Sequence, residues 1–173
     1  VLIPMAGRGQ RFVDEGYKVP KQLIKLNEKH LIEISLDCID YSNCNLIFIV
    51  RDDHIYNFNI DEILRKKFGN DITVIPTDGI TEGSVCSCLL AKKYINNDSP
   101  LIIHTLDVEF APTFIPTVNE LKRNDGIILT AKSNSHNYSY AALNEDGFVT
   151  KTAEKKVISE NACVGIYGFS RGY

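Results

Sequence analysis

A chain of 173 residues is long enough for one domain with a sizeable core. With 44% hydrophobic and 24% charged residues, its composition is that of an ordinary globular protein and excludes disorder. A net charge of −3 gives no general attraction to nucleic acid or to an anionic membrane, and no apolar run approaches the length of a membrane span. The five cysteines (Cys38, Cys44, Cys86, Cys88 and Cys163) are odd in number and contain no C-x-x-C. Reduced thiols in a cytoplasmic protein are therefore expected, not a disulfide framework or a zinc site. The chain starts inside an apparent strand at Val1 without a methionine, which suggests a trimmed end.

The first predicted element is a buried strand, Val1 to Met5, mostly apolar and without helical spacing. The chain then runs through Ala6-Gly7-Arg8-Gly9-Gln10-Arg11-Phe12, where two glycines one residue apart allow a tight turn and close approach to a ligand. Lys18-Val19-Pro20-Lys21 follows, a basic segment stiffened by proline. Main-chain N–H groups with two arginines and two lysines in one loop after a strand suit a polyphosphate. Leu23 to Leu26 reads as a short extended piece, and His30 to Tyr41 as a helix with one buried face. Asn45 to Val50 is a second apolar strand. Asp53 is the expected N-cap of a helix running to Phe68, with Gly69 as its stop. Asp71 to Ile75 forms a third strand, Thr77 to Gly83 a polar loop, and Ser84 to Ile95 a helix. Pro100 to Thr105 is a fourth strand that ends at Leu106-Asp107.

Strand and helix alternate to this point, which argues for a parallel sheet covered on both faces. The pattern then changes. A helix from about Pro116 to Arg123 precedes strands at Gly126 to Ala131, Tyr138 to Leu143, Phe148 to Lys151 and Cys163 to Phe169. Asn144 to Gly147 is the turn between two of them, so an antiparallel addition to a single α/β domain is expected.

In open α/β sheets ligands bind beyond the carboxyl ends of the strands, which would bring the 7–21 loop, the 77–84 loop and Asp107 to one edge. The dinucleotide fingerprint is excluded because Phe12 stands where its third glycine belongs, and no G-K-[ST] string of a nucleoside-triphosphatase loop occurs. A surface loop with scattered charges is the alternative for residues 7–21, since G-x-G alone is weak. Asp107 closes the apolar run LIIHTLD, and a carboxylate there suits Mg²⁺ or, alternatively, the cap of the next segment. Thr81-Glu82-Gly83-Ser84 is either a helix N-terminus capped by Ser84 or Thr81 or a loop that a flat ring can approach at Gly83. The charge run Glu154-Lys155-Lys156 reads on its own as a solvated face, and the four histidines are isolated.

The pattern G-x-G-x-R-F, a spacer and K-x-P-K, carried by Gly7, Gly9, Arg11, Phe12, Lys18, Pro20 and Lys21, closely resembles the signature loop of the sugar-phosphate nucleotidylyltransferases. The resemblance implies a Rossmann-like three-layer mixed sheet of the nucleotide-diphospho-sugar transferase (GT-A-like) type. It also implies transfer of a nucleotidyl group, from a pyrimidine nucleoside triphosphate, to a sugar 1-phosphate or other small phosphomonoester, with release of pyrophosphate. Ala6, Gly7, Gly9, Arg11 and Lys21 would grip the triphosphate, and Thr81, Glu82, Gly83 and Ser84 would meet the base. Asp107 would hold Mg²⁺; Arg11, Lys21 and Asp107 are thus the implied catalytic residues.

Ser139, where the family commonly has glycine, with Glu154 and Lys155 would contact the acceptor, and Gly165-Ile166-Tyr167 matches a G-x-Y strand. The family's second metal-binding aspartate lies well downstream, so the resemblance implies a catalytic domain without its C-terminal part. It further implies a cytoplasmic enzyme making activated precursors of surface polysaccharide, and leaves room for a homo-oligomer. Asp107-x-Glu109 also resembles the metal motif of glycosyltransferases of the same general fold. That enzyme class, and a non-catalytic nucleotide-binding relative, are the alternatives.

Overall fold

Residues 47–50 alternate between two buried faces, and the architecture follows from that alternation. Ile47 and Ile49 pack into one apolar cluster with Leu2, Cys88, Ala91 and Leu101. Phe48 and Val50 pack into another with Ile3, Met5, Leu36, Ile60 and Leu64. A strand buried on both sides needs helices on both sides. The burial of a side chain such as Phe48 contributes roughly 1.5–3 kcal/mol.

A computed structural model describes residues 1–106 and 116–173. Its first half comprises β1 (Leu2–Pro4), α1 (Gln10–Asp14), a 3₁₀ turn (Lys21–Leu23), β2 (Lys25–Leu26), β3 (Lys29–His30) and α2 (Leu31–Leu36). It continues with β4 (Ile47–Arg51), α3 (Asp52–Phe58), α4 (Ile60–Phe68), β5 (Thr73–Thr77), α5 (Ser84–Leu89), α6 (Lys92–Ile95) and β6 (Leu101–His104). Then follow α7 (Val118–Arg123), β7 (Gly126–Lys132), β8 (Tyr140–Leu143), β9 (Val149–Ala153) and β10 (Asn161–Phe169). The main sheet has the order β5-β4-β1-β6-β10-β8-β9, with β7 on the other edge of β10; β2 and β3 form a separate ribbon.

The strands β5, β4, β1 and β6 are parallel. The chain leaves β1 for β4 and β5 on one side and returns to place β6 on the other. A crevice is therefore expected at the carboxyl ends of β1 and β6, where the order reverses. The antiparallel portion is not a simple appendage. Ile166 to Phe169 of β10 pair directly with His104 to Leu101 of β6, so the late strand joins the parallel half to the β7–β9 meander. The fold is the mixed, mainly parallel, Rossmann-like α/β class that the family resemblance implied.

Several element boundaries differ from expectation. The 53–68 helix is broken at Asn59, which adopts a left-handed conformation at φ 50° and serves both as C-cap of α3 and N-cap of α4. Arg51 occupies the N-cap position of α3; Asp53 instead receives the Arg51 guanidinium. The 84–95 helix is likewise two pieces, α5 and α6. The 30–41 helix stops at Leu36. Among the described residues, no helix is long and apolar enough to cross a membrane.

Buried polar groups give the fold a pH dependence with a defined sign. Burial lowers the pKa of His54 and of His104 from the ordinary 6.5. As pH falls below that value, the unfolded chain takes up protons that the folded rings refuse, and stability falls until their depressed values are passed. Burial alone would raise the pKa of Glu33, but hydrogen bonds from Lys67 and His30 outweigh it and bring the group from 4.5 to about 2. Its contribution is present above 4.5 and is lost between there and about 2. Thermal unfolding followed from neutral pH downward should show these two losses in sequence, and Glu33→Gln should remove the second. A midpoint that holds steady as pH drops through the histidine range would contradict the first.

Candidate functional site

Gly9 is the residue around which the first loop closes. It adopts φ +60° as the N-cap of α1, and a Cβ there would sit 3.4 Å from the Cβ of Lys21. The left-handed conformation and the close approach both favour glycine. Lys21 opens the 3₁₀ turn behind Pro20, with its Nζ 5.8 Å from the centroid of the Phe12 ring. Phe12 in turn packs edge-on against Tyr17, ring centroids 5.7 Å apart. Burial, and secondarily the charge of Arg11, push the Lys21 pKa down. A partly desolvated Lys21 with a second cation acting on it favours a nearby anion.

The turn is tied to the sheet by Gln22, whose Nε2 donates to the carbonyl of Met5 at 2.7 Å. Its Oε1 is buried and has no hydrogen-bond partner among the described residues.

These residues line a cleft of about 320 Å³ at the expected crevice. Ala6, Gly7, Gly9 and Lys21 come from the first loop, and Thr81, Gly83 and Ser84 from the segment before α5. Thr105 and Leu106 come from the end of β6. Seven of the nucleotide-site candidates are thus brought together. Arg11 and Glu82 do not line the cleft; both are exposed, although Arg11 is near enough to Lys21 to act on its proton.

In the 81–84 segment the N-cap position belongs to Gly83, not to Thr81 or Ser84, and no side chain caps the helix. The Thr81 hydroxyl instead lies 2.6 Å from that of Ser87 and donates to the Gly83 carbonyl at 3.1 Å. This ties the loop to the first turn of α5 and leaves the Gly83 side of the cleft without a side chain.

The floor of the cleft is set by β6 and β10. Both the amide and the hydroxyl of Thr105 donate to the carbonyl of Gly165, at 3.0 and 3.1 Å. Gly165 adopts φ +84° within a register shift of β10 between Cys163 and Tyr167. Leu106, next in the chain, is itself left-handed at φ 65° and buried, a conformation that costs an L-residue roughly 1–2 kcal/mol. Asp107 and Glu109 lie outside the described residues. Among the described residues no group of three or more His, Cys, Asp or Glu could hold a metal ion.

Ser139, Glu154 and Lys155 do not line this cleft. Ser139 and Glu154 lie at one end of the β8–β9 hairpin, one step beyond the paired Tyr140 and Ala153, with Lys155 next in the chain. That end lies beside Ala162 of β10, on the carboxyl side of β6 and so on the same edge of the sheet as the cleft. Glu154 and Lys155 are exposed and form a loose pair at 3.7 Å, with Lys155 left-handed at φ 51°. Sequence reasoning missed Gln22, Thr105 and Leu106. Only their packing brings Gln22 and Thr105 to the cleft.

The fold is a mixed α/β sheet with a cleft beside the loop that follows its first strand. The nucleotidyl transferase family matches residues 1–173, and the chain belongs to that family. No curated protein matches the sequence. Among solved structures the chain is similar to a nucleoside-diphosphate-sugar pyrophosphorylase from Vibrio cholerae RC9, at 23% identity over 99% of this chain and 73% of that one, TM-score 0.84. It is also similar to a UDP-glucose pyrophosphorylase complexed with UDP-glucose, at 16% identity over 98% and 75% of the two chains, TM-score 0.72. A third similar structure is an inositol-1-phosphate CTP transferase from T. maritima, at 13% identity over 97% and 69%, TM-score 0.74.

Proposed function

We propose that this chain catalyses transfer of a nucleoside monophosphate from a pyrimidine nucleoside triphosphate to a small phosphorylated acceptor, a sugar 1-phosphate or a similar phosphomonoester. The observation that carries the reading is the convergence of Gly7, Gly9, Lys21 and the Thr81–Ser84 segment in one cleft at the sheet's reversal point. The family match supports the reaction class, and the uridine and cytidine nucleotides named for two of the similar structures favour a pyrimidine.

An oxygen of the acceptor phosphate attacks the α-phosphorus in line. The bond from that phosphorus to the oxygen bridging to the β-phosphate breaks, and pyrophosphate leaves with the electron pair. No covalent nucleophile is needed, because positioning and charge stabilisation carry such transfers. The amides of the Gly7–Gly9 loop and Arg11 hold the triphosphate, while Lys21 offsets the repulsion between the α-phosphate and the incoming acceptor. Glu82 and its neighbours meet the base; Ser139, Glu154 and Lys155 meet the acceptor.

Asp107 directly follows Leu106, a cleft residue, and its hard oxygen donors fit Mg²⁺, which would neutralise phosphate charge there. We further assign the enzyme to the cytoplasm, where it would supply activated precursors for surface polysaccharide.

The test is pyrophosphate release with Mg²⁺ from each of five nucleoside triphosphates, each paired with a panel of sugar 1-phosphates and small phosphomonoesters. Release with one pairing, abolished in Asp107→Asn, is expected. Release of nucleoside diphosphate from a nucleotide-sugar would instead indicate a glycosyltransferase. Tight nucleotide binding with no turnover on any pairing would indicate a non-catalytic relative.

A further inference from the structure

His104, the last residue of β6, is fully buried and yet bridges two elements of the cleft wall. Its Nε2 lies 2.9 Å from the carbonyl of Ser35 in α2 and 3.1 Å from the Ser35 hydroxyl. Its Nδ1 lies 3.3 Å from the amide of Leu106. A carbonyl can only accept and an amide can only donate, so the ring must carry its proton on Nε2 and present Nδ1 as an acceptor. Among the described residues a further polar neighbour is the thiol of Cys38, 3.9 Å from Nε2. No charged group is among these contacts with described residues, and burial lowers the ring's pKa.

The Nδ1 contact falls on Leu106, which holds a left-handed backbone without being glycine. Such strain persists only where surrounding groups over-determine it. Leu106 lines the cleft and delivers the chain into Asp107; α2, on the far side of the ring, contributes Leu31 and Ile32 to the same cleft.

We propose that His104 is a positioning residue: bonded as its Nε2–H tautomer to Ser35, it fixes the left-handed turn at Leu106 from which the chain enters Asp107. The inference rests on the nucleotidyl-transfer reading for its kinetic consequence, though not for the geometry itself.

Two substitutions divide the bridge. His104→Asn keeps an acceptor near the Nδ1 position but cannot reach Ser35. His104→Gln keeps a donor near the Nε2 position but offers Leu106 nothing at Nδ1. Pyrophosphate release is measured against Mg²⁺ concentration, with nucleotide affinity and unfolding midpoint measured alongside. His104→Gln should lose ~10- to 100-fold in turnover or in the Mg²⁺ dependence, with nucleotide affinity retained. His104→Asn should stay within ~5-fold of the parent even if its unfolding midpoint falls as far. Equal losses in the two, or losses that track the unfolding midpoint, would overturn the proposal.

A measurement on the unaltered protein stands apart from turnover and from variant folding. The ¹⁵N spectrum of the His104 ring should report Nε2–H with an unprotonated Nδ1, and the Leu106 amide should exchange slowly with solvent. An Nδ1–H tautomer or a rapidly exchanging Leu106 amide would overturn it. If the parent released no pyrophosphate while both signatures were present, the reaction assigned above would fail and the bridge would stand.

Discussion

Replacing Lys21 with alanine should lower turnover by ~10²–10³-fold while changing nucleotide affinity by less than ~10-fold. The asymmetry follows from where the ammonium sits. On the proposed reading, the first loop keeps its amides and Arg11 for the triphosphate when the Lys21 side chain is removed. What is lost is a cation on a half-buried 3₁₀ turn, constrained by Gly9 below and Phe12 beside it.

A charge placed where two phosphates must converge acts chiefly as they approach, so its removal falls on the chemical step. Burial and Arg11 weaken its hold on its proton in the empty site, and the arrival of anionic substrate reverses that pressure. Lys21→Arg should not restore full activity, because a planar fork does not occupy a point cation's place near Phe12. Titration calorimetry with a non-hydrolysable nucleotide, run beside steady-state kinetics, separates the two quantities. Equal losses in binding and turnover would remove Lys21 from the transfer step.

Gly165→Ala should destabilise the protein by about 2–4 kcal/mol, a large effect for one methyl group. Two costs add. The residue sits at φ +84°, where an L-side chain costs roughly 1–2 kcal/mol. A Cβ would also lie 2.0 Å from the Thr105 hydroxyl, which would have to turn away and give up its 3.1 Å bond to the Gly165 carbonyl. Adding Thr105→Ala should recover the steric share and leave the backbone share. Chemical denaturation of the two single variants and the double variant measures this directly. A loss below ~0.5 kcal/mol in Gly165→Ala would mean that the strand relaxes, and the close approach at the cleft floor would not be a constraint.

What was legible in the sequence was what local chemistry encodes. The apolar runs at residues 1–5 and 45–50 became β1 and β4, because strands buried on both faces need no polar alternation. The Gly7-to-Lys21 loop was legible because glycine spacing, proline and clustered cations all bear on one short stretch. The break at Asn59 was not, since apolar spacing continues across it and asparagine is only a modest helix breaker until it turns left-handed. Nor was the insertion of β10 beside β6, a pairing across some sixty residues that no local pattern announces. His104 had looked like an isolated histidine because its two partners come from α2 and from its own turn, which only the folded sheet brings together. Gly165 had stood out through family resemblance alone; the contact with Thr105 supplies its physical reason.

The position of β10 carries a consequence for assembly. Its residues, 161–169, complete the antiparallel edge of β6, a strand placed sixty residues earlier. During synthesis the phosphate loop, the 81–84 segment and the end of β6 are all made before the strand that backs them. Until that strand arrives, Leu101 to His104 lack the partner that satisfies their outer backbone groups, and an open edge is a template for wrong pairing. Loop closure over such a span is slow relative to the pairing of β4 with β5, its near neighbour in sequence. The half of the protein that lines the cleft is thus the early half, and the strand that locks its floor is late.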